Sequence, residues 1–285
     1  EYLLDCMAHL VQRPGVPLKV AILLRGPQGA GKSFLTDVIA SLFRGNTFET
    51  SHADDIVGKL NMHLLSTAVV VGDEAVFAGS KKDADTMKRL ITQDILRVEG
   101  KHKDVLNARN RMSFLLTSNH EHAAHIEPRD RRFFVLNVSD TKTPRSAHED
   151  YWQQLWSWAK SEAGKAALLR FLLDRDISQF EAQRDRPLTT AHFEQVLQSL
   201  SGVEAWVFEA LVLRKDIRGQ AIDAERISEE LRAELDEGAT VWTKKTVHDS
   251  YSRWGEEKRW GERPMNAPAF WKAVQRLFGP DSVTK

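Results

Sequence analysis

"VAILLRGPQGAGKSFL", residues 20–35, decides the fold. Its first third is an unbroken apolar run, the composition of a strand buried on both faces of a parallel sheet. From Gly26 to Ser33 it spells G-x-x-x-x-G-K-S in full. A helical pattern then carries the chain through Leu42. Strand, Gly-rich turn and helix in that order form a phosphate-binding loop. Gly26, Gly29 and Gly31 allow positive φ and close backbone approach. The N–H groups along Gly26, Pro27 (which lacks one), Gln28, Gly29, Ala30 and Gly31 wrap one concavity, and the helix opening at Lys32, Ser33 and Phe34 adds positive potential. Lys32 is expected to meet the β- and γ-phosphates, and the Ser33 hydroxyl a Mg²⁺ ion.

Working outward, the remaining strands follow from apolar runs. "LSTAVVVGDEA" (65–75), "RMSFLLTSN" (111–119) and "RFFVLNV" (132–138) read as buried strands, and "DADTMKRLITQ" as a helix. Residues 95–110 read as two short strands around a tight turn at Gly100. Apolar strands alternating with helices give an α/β fold, a parallel sheet covered on both faces.

The phosphate loop needs a carboxylate at the end of a neighbouring strand to hold its metal. Asp73 supplies it, making Ser33 and Asp73 the expected metal ligands. Glu74 then orients or deprotonates the attacking water. Asn119 ends another strand on the ligand side of the sheet, where an amide can bond the γ-phosphate or that water. Arg131 or Arg132 can act as an arginine finger on a neighbouring subunit's nucleotide. The guanine-reading N-K-x-D pattern is missing, so ATP is favoured over GTP, with other nucleoside triphosphates open, and ATP with Mg²⁺ is the expected cofactor pair.

Bulk composition narrows the classes. The 285 residues carry 40 basic and 40 acidic side chains, so a wholesale nucleic-acid coat is not supported, although local basic patches are. One cysteine, Cys6, leaves no intramolecular disulfide and points to a reducing cytoplasmic compartment, bacterial or phage-infected. No apolar run reaches the ~20 residues of a membrane span. The opening, "EYLLDCMAHL", has the pattern of a helix entered part-way and no initiator Met, so a fragment of a longer protein is expected.

His120, His122 and His125 draw the eye as metal ligands. H-E-x-x-H fails because residue 124 is Ala, and no second cluster of ligands is evident, so a polar surface loop is the preferred reading. After the polar break at 139–150 the chain becomes helix-rich, over 150–175 and 189–213. The tail mixes helices at 224–235, 244–258 and 268–279 with loops. Residues 242–285 hold nine basic and five acidic residues interleaved with Trp254, Trp260, Phe270, Trp271 and Phe278. That mixture suits a helix-turn-helix variant with one basic face, and equally a structural cap.

"GPQGAGKS", "VVVGDEA", "LITQDILRVEGKHKD", "LLTSN" and "DRRFFVL" together resemble, in order and spacing, superfamily three helicases, in the phage and plasmid primase-helicase branch related to the poxvirus-type enzymes. The resemblance covers residues 1–140 well and the tail more loosely. It implies a P-loop AAA+-like core with a parallel sheet (1–140), then a helical segment (141–200) and a small winged-helix-like C-terminal domain (201–285). It further implies a homo-oligomer, commonly a hexameric ring, that hydrolyses ATP and moves on single-stranded DNA; this chain shows no primase catalytic pattern, so a primase domain, if the protein has one, is expected upstream of Glu1, and no membrane partner is expected. Lys32 and Ser33 take the Walker A roles, Asp73 and Glu74 the Walker B roles, Asn119 the sensor role, and Arg131 or Arg132 the finger. The turn "EGKHKD" would project into the ring channel, with Lys101, His102 and Lys103 on DNA phosphates. One departure stands out: Gly72 precedes Asp73 where a bulky apolar residue is expected, and a looser strand end should follow. Two other classes stay open, a P-loop kinase for a small molecule and a DNA-binding initiator that uses ATP only as a switch.

Overall fold

A computed structural model describes residues 1–74, 81–127, 130–143, 145–200, 202–212, 244–257 and 264–278. They belong to two compact units, residues 1–199 and 200–285.

In the first unit α1 (Tyr2–Gln12) leads into β1 (Ala21–Arg25), α2 (Lys32–Ser41), β2 (Thr47–Thr50) and α3 (Ala53–Val57). Then come β3 (Val69–Gly72), α4 (Lys81–Thr92), β4 (Ile95–Val98), β5 (Leu106–Arg109), β6 (Ser113–Ser118) and β7 (Phe133–Asn137). Three helices close the unit: α5 (Glu149–Lys160), α6 (Glu162–Asp174) and α7 (Thr190–Ser199). Five strands form one sheet in the order β2-β3-β6-β1-β7, and each pair in it is parallel. The expected α/β class and parallel sheet are therefore present.

Side chains alternate across a strand, so a central strand feeds two cores. β1 does this: Ala21 and Leu23 pack on one face with Val70, Met87, Phe114 and Phe133. Ile22 and Leu24 pack on the other with Leu10, Ile39, Leu115 and Phe134. Helices cover both faces, which explains the unbroken apolar run at 20–24.

Two elements escaped the sequence reading. β2, "TFET", lies at the sheet edge beside β3 and is short and half polar, so it has no apolar run to announce it. The five-residue α3 is too short for periodicity to register. The strand expected over 65–75 pairs only over Val69–Gly72. Gly72 does not loosen its end: it is buried, pairs with Leu116 and Thr50, and the next N–H, that of Asp73, bonds the Thr50 carbonyl at 2.9 Å.

β4 and β5 form the expected antiparallel hairpin, in register from Ile95↔Arg109 to Val98↔Leu106. Leu96 and Val98 anchor it in the core, and Lys101, His102 and Lys103 stand exposed at its turn. The turn closes through a Lys103 N–H to Gly100 carbonyl bond of 3.2 Å, with His102 left-handed at φ 56°. Asn110 ties the hairpin's exit to the sheet. Its amide donates to the carbonyls of Leu90 (2.8 Å) and Gln93 (2.9 Å) and accepts from the Met112 N–H (3.0 Å). Asn61 holds the turn-side end of β4, donating to the Arg97 carbonyl and accepting from the Glu99 N–H.

The second unit contributes α8 (Gly202–Val212), α9 (Lys244–Glu257) and α10 (Ala267–Phe278). Phe270 is fully buried between Tyr251, stacked at 4.7 Å, and Trp206, edge-on at 5.8 Å. The helix expected over 224–235 lies outside the described residues. Among the described residues no helix is long and apolar enough to cross a membrane.

Asn110 is 2% exposed with its hydrogen-bonding capacity used, so Asn110→Ala strands buried groups. The expected cost is about 1–3 kcal/mol, read as a lower urea midpoint for unfolding of the first unit.

Candidate functional site

The parallel register sets the C-terminal ends of β1, β6 and β3 side by side. Gly26 follows β1, Asn119 follows β6, and Asp73 follows β3. The Gly26 N–H donates to the Ser118 carbonyl at 3.3 Å, which holds the loop's first residue against Asn119's strand. A Cβ at Gly26 would come 2.9 Å from the Val138 carbonyl, so only glycine fits beside the end of β7. Gly29 and Gly31 lie at φ 83° and 94°, the left-handed turns that aim successive N–H groups inward.

Lys32 is buried under this loop. Its ammonium donates to the carbonyls of Gly26 (2.8 Å) and Pro27 (2.9 Å) and to Asn119 Oδ1. Those three bonds use all three of its protons. Burial pushes Lys32 below the ordinary lysine pKa, and the carboxylates of Glu74 and Asp73 oppose that shift. A polyanion beside it would favour the charged form further.

Asn119 also donates through Nδ2 to Glu74 Oε1. An amide between an ammonium and a carboxylate has one satisfiable orientation, oxygen to the first and nitrogen to the second. Asn119 thereby joins the loop lysine to the acidic pair. Glu74 itself is left-handed at φ 56°, an uncommon conformation for a non-glycine residue and one often found at functional sites. Its N–H is held by Thr117 Oγ1 at 3.3 Å.

Asp73 accepts from the Thr117 hydroxyl and, at 3.4 Å, from the Ser33 hydroxyl. Two cis ligands of an octahedral Mg²⁺ sit about 3 Å apart, so Ser33 and Asp73 fit a shared metal shell completed by water and phosphate oxygens. Thr117 is the residue that sequence reasoning missed. It is a fully buried hydroxyl near the end of β6, two residues before Asn119, and its place after the apolar run Phe114–Leu116 was the available signal.

A cavity of about 230 Å³ opens between the loop, Asp73, Glu74 and Asn119. Its remaining wall comes from α5, which the sequence did not connect to the loop. Trp156 meets Phe34 edge-on at 4.9 Å, and one turn earlier the buried Trp152 ring covers Gly31.

The two arginines are elsewhere. The Arg132 carbonyl accepts from the Ala21 N–H (2.7 Å), so both arginines lie at the N-terminal end of β7 and β1. One strand of five residues, about 16 Å, separates them from the loop of their own chain. The structure also separates them from each other. Arg132 is bound to the buried Asp130, through its N–H at 2.9 Å and its guanidinium at 3.2 Å. Arg131 is exposed and has no ion-pair partner among the described residues. The hairpin that carries Lys101, His102 and Lys103 leaves from this same end, since β5 runs directly into the start of β6.

The histidines are dispersed in role. His122 Nε2 contacts Ser199 Oγ at 3.2 Å, and burial pushes its pKa down. Among the described residues no three His, Cys, Asp or Glu side chains are grouped to hold a metal.

The fold and site together define an α/β chain with a mostly parallel sheet, bearing a Gly-rich loop, an Asp-Glu pair and an asparagine at one sheet end. A model of a family of unknown function (DUF5906) matches residues 24–132, from the end of β1 to the start of β7. The DNA primase-polymerase of Nitratiruptor phage NrS-1 is 26% identical over 125 residues, which is 42% of this chain and 17% of that enzyme. The apo structure of the NrS-1 C-terminal region aligns with a TM-score of 0.62 at 18% identity, over 84% of this chain and 55% of that one. A second apo form of the same region gives 0.63 at 18%, over 82% and 56%. The chain is thus related to a phage primase-polymerase and shares the fold of the NrS-1 C-terminal region, while spanning about half of those solved chains.

Gly31→Ala would place a Cβ 2.2 Å from the Trp152 ring at a φ of 94°. A loss of about 2–4 kcal/mol is expected, combining overpacking and backbone strain. Adding Trp152→Leu should return the packing part and leave the strain, as read from urea midpoints of the single and double variants.

Proposed function

We propose that this chain is the ATP-dependent DNA helicase module, of superfamily three type, in a phage-like replication protein. In this reading residues 1–140 are the AAA+-like ATPase core, 141–200 a helical linker and 201–285 a winged-helix-like domain. The assembly is a homo-oligomeric ring, a hexamer, that moves on single-stranded DNA, with a primase domain upstream. The relationship to a phage primase-polymerase supports the replication setting.

The observation that carries the proposal is the bridge Lys32–Asn119–Glu74. An asparagine bonded to both the phosphate-binding lysine and the carboxylate beside it is placed to register whether a γ-phosphate is present. When phosphate oxygens take over Lys32, its bond to Asn119 Oδ1 is released, and the amide is free to move against Glu74. Glu74 then acts as general base toward water, oriented by Asn119. Bound Mg²⁺ supplies charge neutralisation on the β- and γ-oxygens. Ser33 and Asp73 are placed to hold it, with Thr117 fixing the Asp73 carboxylate.

The opposite sheet end serves the other tasks. Arg131, exposed and unpaired among the described residues, is offered to the next subunit's nucleotide. Arg132 instead locks the turn through Asp130. Lys101, His102 and Lys103 at the hairpin turn meet DNA phosphates, and the binding should weaken with salt.

The test is DNA-stimulated ATP hydrolysis with strand displacement. Lys32→Ala should abolish both, and Glu74→Gln should slow turnover by about 10²-fold or more while nucleotide still binds. Arg131→Ala should cut hydrolysis by about 10³-fold, whereas Arg132→Ala should act mainly on stability. Mixing Arg131→Ala with Lys32→Ala subunits should restore activity at shared sites. A wild-type protein without ATPase on single-stranded DNA, unchanged by Lys32→Ala, sinks the proposal.

A further inference from the structure

The cavity beside the Gly-rich loop has two unlike groups in its lining. Asp73, Glu74 and Asn119 are one, joined by hydrogen bonds to the loop's Lys32 and Ser33. Phe34 from the first turn of α2 and Trp156 from α5, in edge-on contact, are the other. Trp152 and Trp156 are four residues apart, so one face of α5 carries both toward the loop. They do different things there. Trp152 is buried and packs on Gly31, which fixes where α5 lies. Trp156 is only half-buried and keeps part of its indole on the cavity. Phe34 meets that ring edge-on at an interplanar angle of 78°, and the Lys160 ammonium stands 4.9 Å from its centre.

Packing explains Trp152; at Trp156, Phe34 meets the ring edge-on and Lys160 lies over it, and part of the half-buried indole still lines the cavity. Phosphates offer the face of an indole nothing, because they are strongly hydrated anions and the face of the ring is electron-rich. A nucleoside does: every base has a π-face, and a ribose has an apolar edge. With the polar groups of the lining suited to phosphates and metal, Phe34 and Trp156 are the aromatic lining left for the nucleoside.

We propose that Trp156, held by Phe34 and by the Trp152 clamp on Gly31, is the nucleoside-binding wall of this site, and that α5 therefore belongs to the nucleotide pocket. This rests on the nucleotide reading of the phosphate loop. Its recognition is by contact area, with no hydrogen-bond group of Trp156 reading a base edge.

The experiment compares ATP with inorganic tripolyphosphate, both with Mg²⁺, by calorimetric titration of the full chain. Trp156→Ala should weaken ATP about 5- to 20-fold and leave tripolyphosphate within about two-fold. Trp156→Phe, which keeps a ring, should recover most of the ATP affinity. Lys32→Ala should weaken both ligands together. Equal weakening of ATP and tripolyphosphate by Trp156→Ala would mean the ring acts only through the loop, and the proposal falls. Unchanged ATP binding in Trp156→Ala overturns it as well. Loss of the nucleotide reading is a separate result: wild-type protein that binds neither ligand removes both proposals.

Discussion

Everything at the site depends on the parallel register of β1 against β6 and, through β6, against β3. Leu24 opposite Thr117 and Gly72 opposite Leu116 bring three strand ends to one level. A slip of one residue would turn Thr117 and Asp73 to opposite faces and separate Asn119 from Lys32. The register is held by burial, because Ile22, Leu23, Leu115 and Leu116 each have a matched core on their own side of the sheet. Chemistry that needs Lys32, Asp73, Glu74 and Asn119 within bonding distance is therefore a consequence of apolar packing.

The sheet then separates the two ends of the unit. At the C-terminal ends of the strands lie loop N–H groups, a buried ammonium and two carboxylates. At the N-terminal ends lie the arginines and the root of the basic hairpin, with Lys19 bound to Asp94 at 2.7 Å beside it. Between them run stiff, buried strands. β6 runs from Asn110, where the hairpin is fastened, to Asn119 at the loop.

Much of this was legible beforehand. Gly26 to Ser33 carries its own turn geometry, and the apolar runs before Asp73 and Asn119 are long enough to be read as buried strands. The hairpin around Gly100 was legible because a charged turn containing a glycine separates two short stretches with apolar residues, Ile95–Val98 and Val105–Ala108. Strand β2 was not, because an edge strand needs no apolar run. Thr117 was passed over because a hydroxyl inside "SFLLTS" looks like a tolerated core threonine until Asp73 is beside it. The histidines behaved in the opposite way: conspicuous in sequence, they join no group of three metal-ligating side chains among the described residues, and His122 instead contacts Ser199 of α7.

The sequence by itself determined the Gly-rich loop between strand and helix, the acidic pair, the alternation of strand and helix, and the asparagine at a strand end. Those are local facts, set by glycine's freedom at positive φ and by the periodicity of burial. Only the tertiary structure decided that Arg132 is tied to Asp130 while Arg131 stays exposed, and that α5 returns to lay Trp152 and Trp156 on the loop. Each joins residues far apart in the chain or depends on which of two neighbours faces a buried carboxylate. No local pattern encodes that choice, because the free energy that makes it comes from burial and pairing across the fold.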